Sequence, residues 1–113
     1  MSEFMLLFHH ERMNGYQPSP EELQAIIGTW QAWLGGIAAQ GALVTTNMLE
    51  DSGQTLHADG LITDGPYTEV KEMLGGYTTV TAPDLAAATE LAKGCPIFGY
   101  GGRVEIRQVS ILG

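Results

Sequence analysis

The sequence is poor in cysteine, in basic side chains and in long apolar runs. Cys95 is its only cysteine, so the chain can form neither an internal disulfide nor an all-cysteine zinc site. Five lysines and arginines stand against thirteen acidic residues, and the resulting net charge of −8 disfavours nucleic acid and anionic lipid as partners. No apolar run approaches the roughly 20 residues that cross a bilayer. The opening MSEFMLLFHHER lacks the pattern of a signal peptide, and we therefore expect a soluble cytoplasmic protein.

Motifs for cofactors, metals and nucleophiles are also missing. The chain has no Gly-x-Ser-x-Gly, no P-loop and no dinucleotide fingerprint. Its three histidines, His9, His10 and His57, lack the helical spacing of a zinc site. Cys95 precedes Pro96 and has no activating neighbour in sequence, which favours an inert buried thiol. We expect no cofactor and no metal.

The first strand and the first helix carry the clearest signals. At 113 residues we expect one domain spanning 1–113, and the run FMLLF predicts a central strand at Phe4–Phe8 buried on both faces. SPEEL predicts a helix that begins with a capping box on Ser19 and ends before Gly41. A glycine pair, Gly35-Gly36, interrupts this helix, and close packing is the predicted reason. The apolar stripe expected to face the core consists of Leu23, Ile26, Ile27, Trp30, Leu34 and Ile37.

The remaining elements follow from alternation and turn signals. ALVTTNML predicts a second strand, and Asp59-Gly60 predicts a two-residue type I′ hairpin. GYTTVTA is typical of a further strand, after which Asp84 caps a second helix that ends at Gly94. RVEIRQVSI predicts the last strand, with an apolar and a charged face.

The order β-α-β-(hairpin)-β-α-β predicts a ferredoxin-like α+β sandwich with both helices on one sheet face. The other face is left uncovered in such a single layer. An uncovered face of mixed apolar and polar side chains predicts association with a second copy, and hence a homodimer.

Four segments, FMLLF, DGPYTEVKEMLGGY, PDLAAATELAKGCP and VEIRQV, resemble in this order the YCII-related proteins of the DGPF type. The resemblance covers nearly the whole chain, with Tyr67 where these relatives usually have Phe. It implies a ferredoxin-like fold that dimerises through its sheets into an α/β-barrel-like body. It implies no established reaction, and it suggests an extracytoplasmic-function sigma factor as a possible partner.

Distant YCII-type relatives are credited with a His-Asp pair whose histidine lies on the first helix. Alignment of the helix ends puts Trp30 at the histidine position and Ala42 near the aspartate position. This pair is therefore not carried over to the chain.

Two parts of the sequence supply candidate ligand-binding residues. The charged connector after the Asp-Gly-Pro turn is either a solvated corner or a carboxylate–ammonium cluster suited to acid–base chemistry. On the last strand, Glu105 and Arg107 share one face and either pair at the dimer seam or hold a ligand. Tyr77, Thr79 and Thr81 form a polar strand face that suggests a wet cavity, and His9 at a strand end is a possible base. The pocket candidates are His9, Asp64, Tyr67, Glu69, Lys71, Glu72, Tyr77, Glu105 and Arg107.

Three functions remain open from the sequence. The first is a homodimer that binds a small polar or aromatic metabolite in a cavity between the DGPY segment and the last strand. The second is a lyase or isomerase of the dehydrochlorinase or muconolactone-isomerase kind, with a carboxylate or His9 as base and Arg107 holding the substrate carboxylate. The third is a regulatory partner of a sigma factor.

Overall fold

The computed structural model describes residues 1–11, 18–64 and 72–110. In chain order the elements are β1 (Ser2–Glu11), α1 (Pro20–Ala39), β2 (Leu43–Met48), β3 (Gln54–Leu56), β4 (Ile62–Asp64), β5 (Glu72–Ala82), α2 (Leu85–Ala92), a 3₁₀ helix (Pro96–Tyr100) and β6 (Arg103–Gln108). No helix among these residues is long and apolar enough to cross a membrane.

Four of the strands form one antiparallel sheet in the order β2-β5-β1-β6, and β3 and β4 form a separate hairpin. Both helices contribute to a single hydrophobic core on one face of the four-stranded sheet. This α+β arrangement is compatible with the predicted ferredoxin-like fold. The buried core comprises Phe4, Leu6, Phe8, Ile37, Ala42, Val80, Ala82, Ala88, Ala92, Cys95 and Ile97.

The first strand is central, as predicted, but it is longer than Phe4–Phe8 and is not buried on both faces. Phe4, Leu6 and Phe8 are buried against the helices, whereas Met5 and Leu7 on the opposite face are half-buried. The continuous apolar run therefore supplies one core face and one face that the chain's own helices do not cover. Two-residue alternation within an apolar run conceals this difference.

The first helix begins as predicted. The Ser19 hydroxyl accepts a hydrogen bond from the Glu22 amide at 3.1 Å, and the Glu22 carboxylate accepts one from the Ser19 amide at 3.3 Å. Gly41 follows the helix with φ of +71°, a left-handed conformation that glycine adopts without strain.

The predicted apolar stripe is wrong for the first half of α1. Leu23 and Ile27 are each 46 % exposed, and Ile37 near the other end is the buried residue of the helix. The helix is thus anchored to the core by its second half, where Trp30 and Trp33 also pack. Periodicity identifies the apolar side of a helix but does not fix how much of that side reaches the sheet.

The predicted close packing at Gly35-Gly36 is also wrong, because a Cβ built at either position meets nothing within 4 Å. We expect Gly35→Ala and Gly36→Ala each to raise the free energy of unfolding by about 0.5–1 kcal/mol, since alanine has the higher helix propensity. Urea unfolding followed by circular dichroism measures this. Gly102→Ala is the contrasting variant, because its methyl group would meet the His9 carbonyl oxygen at 2.7 Å. Loss of stability in Gly35→Ala or Gly36→Ala would show that something packs on α1.

The hairpin turn has three loop residues rather than the predicted two. Its loop closes with the His57 amide donating to the Leu61 carbonyl at 2.8 Å and the Gly60 amide donating to the His57 carbonyl at 2.9 Å. Gly60 has φ of +90°, whereas Asp59 does not have positive φ, which a type I′ turn requires at both positions. The Asp59 carboxylate instead accepts from the Leu61 amide at 2.9 Å, so the aspartate stabilises the longer loop.

The second half of the chain follows the predicted order. The Asp84 carboxylate caps α2 by accepting from the Ala87 amide at 2.8 Å. β5 begins at Glu72 rather than at Gly76, so Glu72 belongs to the sheet and not to the connector. β6 begins at Arg103 as predicted.

Candidate functional site

A cleft of about 560 Å³ opens between α1 and the sheet, on the face that carries the core. We call it the helix–sheet cleft. The helix contributes two apolar side chains, the four-stranded sheet contributes five residues from three strands, and the 3₁₀ helix with the residue after it closes the far wall. The lining residues are Phe8, His10, Glu11, Ile26, Trp30, Met48, Gly75, Ile97, Tyr100 and Gly101.

The cleft exists because α1 is held at one end. Trp33 donates its indole N–H to the Leu91 carbonyl at 3.0 Å and so ties the second half of α1 to α2. Phe8, Trp30 and Trp33 form an edge-to-face cluster with centroid separations of 5.1–5.8 Å. Because this cluster fills the space under the second half of the helix, the first half spans the sheet without filling the space beneath it. The Trp30 ring that lines the cleft is thus packed against Phe8 and Trp33.

One end of the cleft is polar. His10 and Glu11 at the end of β1 both line it, and the His10 Nδ1–H donates to the Glu11 carbonyl at 2.8 Å. Sequence reasoning considered His10 only as a metal ligand and missed this position. Alternation puts His10 in phase with Phe4, Leu6 and Phe8, but the sequence alone does not say which alternate set faces the helices.

His9, which was the predicted base, points to the opposite side of the sheet, which we call the open face. The strand register places Leu7, Tyr77 and Glu105 side by side on this face, with Met5 beside Thr79 and Arg107. The face thus carries two apolar side chains of β1 among polar and charged neighbours. Its members in the described part of the four-stranded sheet include Glu3, Met5, Leu7, His9, Thr45, Asn47, Leu74, Tyr77, Thr79, Thr81, Arg103, Glu105 and Arg107.

Three of the predicted site residues meet on the open face. His9 Nε2 lies 3.0 Å from Glu105 Oε1, and Arg107 Nε lies 3.9 Å from Glu105 Oε2. The His9 side chain is 20 % exposed and that of Glu105 41 % exposed, so the pair is accessible from this side. A carboxylate that is hydrogen-bonded to an imidazole orients the ring. Here the Glu105 carboxylate is the hydrogen-bond partner of His9 Nε2.

Tyr77 and Glu72 make separate contacts. The Tyr77 hydroxyl accepts from the Asn47 amide group at 3.0 Å, and Glu72 pairs with Arg103 at 2.5 Å. Because Arg103 is held by Glu72 and Arg107 lies near Glu105, the open face balances much of its own charge. These charged residues of β6 lie on the open face, and none of them lines the helix–sheet cleft.

The DGPY segment is only partly described. Asp64 is exposed at the end of β4, in the separate hairpin, where it pairs in register with Gln54. The other predicted residues of this segment, Tyr67, Glu69 and Lys71, lie outside the described residues, as does most of the Asp-Gly-Pro turn.

The glycine pair after this segment, Gly75-Gly76, makes room for neighbouring parts of the protein itself. A Cβ at Gly75 would collide with the His10 imidazole, and one at Gly76 would meet the Asn47 carbonyl oxygen at 2.7 Å. The missing Cβ of Gly75 thus makes room for the ring that forms the polar end of the cleft.

Cys95 lies in the core, away from the polar end of the cleft. Burial raises the pKa of its thiol to about 11, against a smaller lowering by a backbone hydrogen bond at Ile97. A thiol with so high a pKa carries little thiolate at neutral pH and is a poor nucleophile. Within residues 1–11, 18–64 and 72–110, no three histidine, cysteine or acidic side chains group together to hold a metal ion.

The fold and the cleft define a small α+β protein with a preformed apolar pocket between its helix layer and its sheet. A model of the YCII-related domain matches residues 3–111, nearly the whole chain, and the chain belongs to this family. The family resemblance inferred from the sequence motifs is thereby confirmed. The matched description names a domain and no reaction. None of the curated proteins matches the chain.

Proposed function

We propose that the protein binds a small aromatic molecule in the helix–sheet cleft and that it acts as a homodimer associated through the open face. The observation that carries the first part is the cleft itself. Its volume of about 560 Å³ lies within the range of small-molecule sites, and its lining is mainly apolar with a few polar groups at one end.

The lining favours a flat aromatic ligand over an aliphatic one. Trp30 and Tyr100 present rings with accessible surface to the cleft, and Trp30 is held edge to face by the buried ring of Phe8. Rings that are already fixed lose little conformational entropy when a ligand stacks on them. Ile26 and Met48 complete the apolar wall.

The proposed site differs from the cavity expected from the sequence. Gly75 lines the cleft, and β5 enters the sheet directly after residue 71. Glu105 and Arg107 are separated from the cleft by the thickness of the sheet.

Homodimerisation is proposed from the composition of the open face. Met5 and Leu7 are apolar and only half-buried, while both helices pack on the opposite side of the sheet. Pairing of two such faces would bury these side chains and would bring the charged residues of β6 to the seam. Each sheet would then lie between its own helices and the partner's sheet.

A lyase or isomerase is the second candidate, favoured by the imidazole of His10 at the cleft. It ranks below simple binding because Arg107, expected to hold a substrate carboxylate, is on the open face. Among the described lining residues there is no lysine or arginine to hold a substrate carboxylate.

The binding proposal can be tested with two adjacent isoleucines. Ile26 lines the cleft, whereas Ile27 is 46 % exposed and does not line it. With indole as the probe and calorimetry as the measurement, we expect Ile26→Asn to weaken binding roughly tenfold because apolar contact is lost. Ile27→Asn, which makes the same chemical change one residue away, should bind as the original protein does. Absence of saturable binding, or equal weakening by both substitutions, would overturn the proposal.

A further inference from the structure

The tautomer of the His10 ring is fixed by its hydrogen bond. Nδ1 lies 2.8 Å from the Glu11 carbonyl oxygen, which can only accept. Nδ1 therefore carries the proton. In the neutral ring Nε2 is then a lone-pair acceptor with no proton of its own.

Nε2 of His10 makes no hydrogen bond within the described part of the chain. In the described part of the chain, the one hydrogen bond of this side chain is that made by Nδ1, and no buried side-chain nitrogen or oxygen lacks a partner. Nε2, which has no protein partner among the described residues, is therefore not completely buried, although this edge of the ring lies against Gly75. His9 contrasts with it, because Glu105 occupies its Nε2 on the open face.

Gly75 sets the position of the ring. A Cβ at this residue would overlap the Nε2–Cδ2 edge of His10, so the imidazole lies across β5 only because residue 75 is glycine. Both residues line the cleft. The acceptor is thus placed at the polar end of an otherwise largely apolar pocket.

We propose that the cleft selects neutral aromatic molecules that carry a hydrogen-bond donor, a ring N–H or a hydroxyl, and that His10 Nε2 receives this donor. The inference rests on the proposed function, namely that the cleft binds an aromatic molecule. Glu11 also lines this end, and the chain's net charge of −8 disfavours anionic ligands. The matching ligand therefore donates and carries no negative charge.

Indole and 1-methylindole form the matched pair of probes, since methylation removes the donor and keeps the aromatic ring system. We expect indole to bind roughly 3- to 10-fold more tightly, as one neutral hydrogen bond provides. In His10→Phe the preference should fall to about one. His10→Gln keeps a side-chain acceptor and should restore part of the preference.

Gly75→Ala tests the positioning separately, because it leaves His10 in place but adds the methyl group that displaces the ring. The preference for indole over 1-methylindole should fall in Gly75→Ala. It should not fall in Gly36→Ala, where the added methyl group meets nothing within 4 Å. Thermal unfolding checks that each variant is folded.

The two proposals fail in different ways. If indole and 1-methylindole bind equally to the original protein, or if the preference survives in His10→Phe, the role of His10 is wrong while the cleft remains a binding site. If neither molecule binds, the proposed function itself fails.

Discussion

Replacing Phe8 by alanine is expected to lower the free energy of unfolding by about 3–5 kcal/mol, the range found when a buried phenylalanine is truncated. Phe8 is fully buried, and its ring contacts Trp30 and Trp33 at centroid distances of 5.1 and 5.8 Å. Such a loss is a large fraction of the roughly 5–15 kcal/mol that stabilises a typical domain. The substitution loses the free energy gained by burying the ring. It also removes the ring's contacts with Trp30 and Trp33.

Urea unfolding monitored by circular dichroism measures this change. Phe98→Ala is the matched control, because Phe98 is 49 % exposed on the 3₁₀ helix and its truncation should cost less than about 1 kcal/mol. The assignment of Phe8 to the centre of the core would be contradicted if the two variants lost similar stability.

Leu7→Arg is expected to convert the proposed homodimer to a monomer. Leu7 precedes Phe8 but points to the open face, where its cross-strand neighbours are Tyr77 and Glu105. Two-fold pairing of this face would bury the new arginine without an oppositely charged partner. The desolvation of an unpaired charge costs several kcal/mol.

Light scattering at micromolar concentration should give twice 12.1 kDa for the original protein and 12.1 kDa for Leu7→Arg. Leu56→Arg serves as the control, because Leu56 is 71 % exposed in the separate hairpin and should leave the dimer intact. A monomeric original protein, or a Leu7→Arg variant that stays dimeric, would refute association through this face. Since the cleft lies on the other side of the sheet, Leu7→Arg should still bind indole.

Local signals in the sequence account for most of the element order. The capping box at Ser19 and the aspartate cap at Asp84 form as predicted, because each depends on residues within one helical turn. The alternation in RVEIRQ likewise places Glu105 and Arg107 together on one strand face. The family also follows from the sequence, through motifs that extend along nearly the whole chain.

The candidate site was less accessible to sequence reasoning. His9 and His10 are equivalent in the printed sequence, and only the strand register assigns His9 to the open face and His10 to the cleft. In FMLLF every residue is apolar, so the run does not reveal which alternate set faces the helices. Trp30 belongs to the apolar stripe predicted to face the core. That it also lines the cleft depends on the distance between α1 and the sheet.

The sequence by itself determined the order of the α-helices and strands, which residues cap the helices, and that one sheet face would carry polar side chains, because these properties depend on neighbours within a few positions. Tertiary structure alone decided that α1 is anchored by its second half, that His10 rather than His9 reaches the cleft, and that Gly75 holds space for its ring. These outcomes depend on contacts between residues distant in sequence, such as Trp33 with Leu91 and His10 with Gly75. Local propensity does not encode such distances, because they are set by the joint packing of helix, sheet and 3₁₀ helix.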